Sequence, residues 1–302
     1  MFADLALARR LERAEATSAV RNVEGRARVF PDRGAAWTEI AGAYAMFDGP
    51  DSPVTQTFGL GLFQAPTIED FAAIEAFFTG RGAPVLHEVS PLADAQTFTL
   101  LNARGYQPIE FTSVMYQEVG RAGRAGQAGQ VGRAGRAGQV GRAGQVGQAG
   151  QAGRAGQVGR VGHEEAHGIT VRTVGPGDVD VYARTAAEGW RESGYADFVQ
   201  DIARVHAASD GIETFLAELD GRPIATAVLS MHDGVAHFAG ASTIPDGRRR
   251  GAQNALLEHR LRFAAARGCD IALMGALPGS ASQRNAERNG FRIAYTRIKW
   301  RA

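Results

Sequence analysis

The sequence predicts an α+β or α/β protein: two mixed β-sheet domains flanked by helices and joined by a glycine-rich disordered linker. Three observations predict it. Helical and strand periodicities alternate from 168 to 302, a strict glycine repeat interrupts the chain at 120–162, and the ends of the segments on either side of that repeat match in outline. The boundaries are 1–119, 120–167 and 168–302.

The linker comes first because it distorts the composition. From Gly120 to Gly162 glycine falls on every third position, 15 glycines in 43 residues, separated by Arg or Gln and then Ala or Val. Glycine at that density excludes a helix, at about 1 kcal/mol each, and a packed strand is excluded for want of large side chains. The tract holds seven arginines and no acid. The remaining 259 residues therefore carry 26 basic against 32 acidic groups, so the overall charge of +1 is an average of two unlike parts. A collagen triple helix needs imino acids to pre-set its backbone, and the repeat has no proline. Without an aromatic it offers no base-stacking platform, so no nucleic-acid partner is expected. Deleting 121–161 is expected to leave folding intact.

No apolar run reaches the ~18 residues that would span a bilayer, and the N-terminus lacks a secretory apolar core, which points to a cytoplasmic protein with no membrane partner. Cys269 stands alone, so neither a disulfide nor a thiolate zinc cluster is expected. His163-Glu164-Glu165-Ala166-His167 has the spacing of a zinc-peptidase motif, but Gly162 and Gly168 bracket it, leaving no helix to put both imidazoles on one face. No metal is expected.

In the second domain, 169–174 alternates as a strand, and 176–190 and 195–208 read as helices. Strands near 212–219, 222–231 and 234–244 are joined by Asp220-Gly221 and Asp233-Gly234, both hairpin signals. A long helix then ends at Arg267-Gly268, followed by a strand at 270–276, a helix near 280–289 and a strand at 291–300. The turn before the long helix carries Arg248, Arg249, Arg250 and Gly251. Unpaired N–H groups, the helix dipole and three full charges converge there, which suits a pyrophosphate.

These residues resemble the GNAT superfamily of acyl-CoA-dependent N-acyltransferases, whose phosphate loop reads Q/R-x-x-G-x-G/A after a strand end. Arg248-x-x-Gly251 follows that pattern, and Ser242, Thr243, Ile244 and Pro245 match the strand end. Gln253 departs from it, placing a larger side chain toward the cofactor. The resemblance implies acetyl-CoA as acyl-donor co-substrate, held by Ser242, Thr243, Ile244, Arg248, Arg249, Arg250, Gly251, Ala252, Gln253 and Asn254. The segment from Ser280 to Gly290-Phe291 is similar to the family's second CoA-lining helix, which implies that Asn285 approaches the pantetheine arm. Many members have a tyrosine acid four residues before that glycine; here the position is Ala286.

The first half repeats the outline. Residues 91–106 and 111–117 parallel 278–291 and 294–300 as helix, Gly-aromatic and strand. Upstream are a helix over 1–19, strands near 25–30, 36–47 and 55–63, and a helix over 67–80 started by the capping box Thr67-x-x-Asp70. The loop position holds Gln64-Ala65-Pro66-Thr67-Ile68-Glu69-Asp70, whose carboxylates repel a pyrophosphate. This half reads as a degenerate GNAT copy with its own core.

The resemblance implies an N-acetyltransferase in which a primary amine of a small molecule or peptide attacks the thioester directly. A group near the acyl carbon must take the ammonium proton, and Glu188, Glu218 and His237 are candidates. Tyr295 is a candidate replacement acid. The alternative is a non-catalytic acyl-CoA sensor or a partner-binding module. The oligomeric state is left open by the sequence.

Overall fold

The computed structural model describes residues 3–120 and 168–302, so expectations for the repeat and for His163 to His167 lie outside the described residues. In the first half the elements are α1 (Leu5–Val29), β1 (Ala36–Ile40), β2 (Ala43–Phe47), β3 (Gln56–Phe58), α2 (Ile68–Thr79), β4 (Leu86–Val89), α3 (Ala95–Ala103) and β5 (Gln107–Glu118). In the second they are β6 (Ile169–Thr173), α4 (Val179–Gly189), α5 (Ala196–Ala208), β7 (Ile212–Leu219), β8 (Arg222–His232), β9 (Val235–Thr243), α6 (Ala252–Ala266), β10 (Ile271–Ala276), α7 (Ala281–Arg288) and β11 (Arg292–Arg301).

Several first-half expectations are corrected. The helix expected over 1–19 continues to Val29 and absorbs the strand expected at 25–30. Arg-Ala-Arg-Val fits a period of two, but Gly25 lies so close to Ser209 that a Cβ there would fall 2.0 Å from its Oγ, and Arg26 is drawn into a buried pair with Asp48. Pro31 follows directly after the helix and cannot continue it. Residues 36–47 form two paired strands rather than one, and only 56–58 of the expected 55–63 strand pairs. The strand β4 went unread because Leu-His-Glu-Val lacks a polar alternation.

The two halves share one 11-stranded sheet, ordered β1-β2-β3-β4-β11-β5-β10-β9-β8-β7-β6. The final strands are exchanged: β11 lies between β4 and β5, and β5 lies between β11 and β10. The first half's core is accordingly not its own. Its apolar cluster under α2 and α3 includes Trp300 from β11.

The exchange has internal symmetry. Arg292 pairs with Tyr116 as Gln107 pairs with Arg301, Ile293 with Met115 as Pro108 with Trp300, and Tyr295 with Val114 as Glu110 with Lys299. Residues 185 apart, as Gly105 and Gly290 are, thus take equivalent places, and Arg297 opposite Thr112 sits on the approximate two-fold. One face of the sheet carries α1, α4 and α5; the other carries α2, α3, α6 and α7.

On the α1 face, at the two-fold, Arg297 binds Glu12, Glu15 and Glu88 at 2.8–3.2 Å, while Lys299 lies 3.3 Å from Glu88. Three carboxylates against two cations balance when one proton is retained, and burial pushes Glu12 up to about 7. The Arg297 charge and hydrogen bond hold Glu15 below the usual carboxylate range against its own burial.

Candidate functional site

The site is built where two neighbouring parallel strands part. β9 and β10 pair from Val235–Ile271 to His237–Leu273 and then separate, leaving β9 from Phe238 to Thr243 with no ladder partner on that side among the described residues. β10 remains paired with β5 through Ala276. The bare edge of β9 is a row of backbone donors and acceptors open to an extended, amide-containing ligand.

At the end of that edge the chain makes a single 3-10 turn at Pro245–Gly247 and enters α6 through Gly251, whose φ of +87° lies in the left-handed region. A side chain there would add strain, and none caps the helix: no side-chain hydrogen bond reaches the first turn, which contains no acid. The first N–H groups of α6 therefore face a cleft of about 260 Å³, lined among others by Thr243, Arg248, Arg249, Ala252, Asn254 and Asn285. Gly247, Gly251 and Gln253 complete the lining. The loop backbone is tight, with Arg249 at φ +61°. Arg248 pairs with Glu192 at 2.8 Å; Arg250 is exposed.

Gln253, which lines the cleft, also serves the fold. Its Nε2 donates to the Ser242 carbonyl at 3.0 Å and to Thr243 Oγ1 at 2.7 Å, so the side chain folds back onto the end of β9 and ties it to α6. On the other side Ser242 Oγ donates to the Ala186 carbonyl at 2.8 Å, and Gly189 lets α4 come so close that a Cβ would lie 2.0 Å from Ser242 Oγ. Ile244 is buried and its N–H donates to the Ile224 carbonyl at 3.0 Å, which makes it a support for the loop. Asn285 reaches the cleft from α7, and its carbonyl accepts from Asn289 Nδ2 at 2.8 Å.

The acid and base candidates are dispersed. His237 occupies the last paired rung before the strands part, facing α1; it is buried, its Nδ1 has no partner, and burial holds its pKa below the usual imidazole range. Glu188 lies beside Gly189, half-exposed, with Arg191 at 2.8 Å. Glu218 is committed to Arg172 at 2.9 Å on the outer strands. Tyr295, on β11, donates to Glu12 Oε1 at 2.8 Å and is enclosed in the ion cluster two strands beyond β10. The structure thus brings together the loop residues and Asn285 around one cleft, sets His237 at the parting point of the strands and Glu188 beside the end of β9, and leaves Tyr295 and Glu218 apart. Sequence reasoning passed over Gly275. Its equivalent in the first half is Glu88, because Arg301 faces Leu86 as its counterpart Tyr116 faces Leu273.

The first half shows the same junction closed. The β3–β4 pairing reaches Glu88, two residues further than its counterpart, and the carboxylate at that position is held by Arg297. The N-terminus of α2 is satisfied by its own capping box, with Asp70 accepting from Thr67 N at 2.8 Å and Thr67 Oγ1 accepting from Asp70 N at 3.1 Å.

Residues 160–279 match the family model described as an acetyltransferase (GNAT) domain. Residues 118–172 match the collagen triple helix repeat, through the glycine period of the tract. A search of curated proteins returned no match. Among solved structures the chain is similar to a GCN5-related N-acetyltransferase from Kribbella flavida (15% identity, 95% of this chain and 94% of that one, TM-score 0.59). It is also similar to a functionally unknown conserved protein from Staphylococcus epidermidis (11%, 90% and 96%, 0.54) and to a tandem GNAT protein from the clavulanic acid biosynthesis pathway (12%, 86% and 78%, 0.50). At these identities the likeness is one of fold.

Proposed function

We propose that this chain, which carries a GNAT acetyltransferase domain within a GNAT fold, transfers an acetyl group from acetyl-CoA to a primary amine of a small molecule or peptide, with the chemistry confined to the second half. The observation that carries the reading is the junction itself: a bare β9 edge ends in an uncapped helix N-terminus with cationic side chains beside it. The pyrophosphate would take the N–H groups of α6 with Arg248 and Arg249, and the pantetheine amides would pair along β9 toward the parting point.

In this reading the amine nitrogen attacks the thioester carbon, the carbon–sulfur bond breaks, and the thiolate leaves and takes up a proton. Proximity and a backbone N–H aimed at the developing oxyanion supply most of the acceleration. His237, neutral because burial holds its pKa down, is the base candidate closest to the parting strands, and Glu188 is the solvent-side alternative. Ala286, buried in the core, leaves no hydroxyl at the position where many family members have their acid. That absence favours the second reading, an acyl-CoA-binding protein without turnover.

Calorimetric titration with acetyl-CoA combined with thiol detection over an amine panel separates these readings. Binding with amine-dependent thiol release is the expected result. Binding without release across the panel leaves the sensor, and absence of binding overturns both. In an active protein, His237→Asn is expected to lower kcat about tenfold or more and to leave acetyl-CoA affinity unchanged; unaltered turnover removes the histidine.

A further inference from the structure

A second cavity, of about 420 Å³, opens between the halves. Its walls are Arg26 near the end of α1, Arg33 in the turn that follows it, the 48–53 loop, and Tyr195 and Phe198 at the start of α5. We propose that it binds a small organic carboxylate with an apolar body.

The argument begins with Arg26, whose side chain is 1% exposed. Its Nε and Nη2 donate to the two oxygens of Asp48 at 2.8 and 3.1 Å, a side-on pairing that turns Nη1 away from Asp48. Nη1 is buried and has no partner among the described residues. A buried guanidinium nitrogen left unsatisfied has lost its water without gaining a partner, a deficit that a ligand oxygen admitted beside it would make good. Arg33 provides a second guanidinium: both cations lie over the ring of Phe30, at 5.3 and 4.6 Å. Both guanidiniums also line the cavity, and planar guanidinium donors suit a two-oxygen carboxylate.

The site is pre-organised. Asp48 is locked by Ser52 Oγ at 2.7 Å and by the donation of its own N–H to Thr55 Oγ1 at 2.9 Å, so Arg26 keeps one orientation. Asp48 neutralises Arg26, and Asp201 pairs with Arg33 at 2.9 Å. Attraction therefore rests on directed donors rather than on net charge. Asp51, at the rim, is exposed and screened by water. Phe198, Tyr195 and the prolines of the loop furnish the apolar wall.

The cavity is connected to the proposed transfer site by one short chain segment. Its wall residue Tyr195 follows by three positions Glu192, which pairs with Arg248 of the phosphate loop. His206 lies 3.7 Å from where a Cβ of Gly240 on β9 would be, and burial together with the Arg26 charge lowers its pKa to about 4. The carboxylate therefore belongs either to the acyl acceptor or to a separate effector.

Titration of the full chain with 4-methylbenzoate and with its amide tests the proposal. The acid is expected to bind at least tenfold more tightly, and Arg33→Gln, at an exposed position, to reduce it to the level of the amide; Arg26→Lys should do the same wherever circular dichroism shows it folded. Equal binding of acid and amide, binding of neither, or undiminished binding in Arg33→Gln overturns it. With acetyl-CoA present, thiol release on adding 4-(aminomethyl)benzoate, suppressed by 4-methylbenzoate, assigns the carboxylate to the acceptor, whereas binding without release assigns it to an effector. Acetyl-CoA titration of the same samples keeps the outcome separate from that of the transfer reading, since either ligand can bind without the other.

Discussion

The N-termini of α2 and α6 occupy equivalent places in the two halves and have opposite electrostatics. At α2 the Thr67–Asp70 box satisfies the first N–H groups, and Glu69 and Asp70 put two acids in the first turn. At α6 the cap is Gly251, the first turn holds no acid, and Arg248, Arg249 and Arg250 precede it. The β3–β4 junction is filled by Glu88 where the β9–β10 junction has Gly275. One architecture becomes a support or a ligand site according to whether the helix end is spent on its own side chains. The tie between the two lies at the centre of the sheet, where the exchanged strands and Arg297 join them.

The comparison can be broken most severely by separating the halves. Residues 168–302 alone lack β5, which lies between β10 and β11, and are expected to be unfolded; a dispersed amide spectrum from that fragment would contradict the exchange, and co-expression with residues 3–119 should restore it. Next in size, Arg297→Met leaves three buried carboxylates with Lys299 alone, an expected loss of about 3–5 kcal/mol in urea unfolding.

Acid is the next probe. Burial lowers His87 to about 3 and His206 to about 4, so the unfolded chain binds these protons first as pH falls below about 6.5. Stability is then expected to decline on acidification, by up to about 1.4 kcal/mol per pH unit for each histidine, until about pH 4 for His206 and about pH 3 for His87. Glu12 has the opposite sign: the folded state holds a proton that the unfolded state has lost, and that contribution fades as pH rises through about 7. Because the two signs oppose each other between about pH 4.5 and 6.5, urea midpoints from pH 4 to 8.5 are compared between the full chain and Glu12→Gln, in which the histidine slope should steepen; an unchanged slope would show that the Glu12 burial is not maintained.

A smaller effect is expected when α6 is made to resemble α2. Asn254→Asp sets a carboxylate in the first turn and should weaken acetyl-CoA about tenfold, about 1.4 kcal/mol, without loss of melting temperature. Asp70→Asn should cost about 1 kcal/mol of stability and leave that affinity unchanged.

The smallest effect concerns the tract. β5 and β6 are five strand spacings apart, about 24 Å, and the end of one and the start of the other lie at opposite ends of the sheet, which makes the gap longer than about 24 Å. Removing all of 121–161 leaves six residues before Gly168, about 24 Å at full extension, and is expected to strain the fold, a revision of the expectation from sequence. A deletion that retains about 20 residues should leave both melting temperature and acetyl-CoA affinity unchanged.

Much of the second half was legible because its signals are local. Asp220-Gly221 and Asp233-Gly234 take the positive φ angles their hairpins require, and the loop at Gly251 was placed by its residues. The capping box of α2 was read for the same reason. What escaped depends on partners distant in sequence. The length of α1 is decided by Ser209 and Asp48, the position of β11 by β4 and β5, and the direction of Gln253 by the carbonyl of Ser242. The enclosure of Tyr295 follows from Glu12, 283 residues away in sequence. Neither periodicity nor motif spacing records such contacts.

The exchange of final strands also sets an order on synthesis. When β4 and β5 emerge from the ribosome, one edge of β4 and both edges of β5 await strands that do not yet exist, and they stay open until residues 271–276 and 292–301 have been made. For that interval the nascent chain exposes unpaired strand edges, the surface most prone to mispair with another copy. Glu88 and Glu110, on those strands and acidic until Lys299 arrives, give neighbouring nascent copies like charges at that edge and so oppose their pairing.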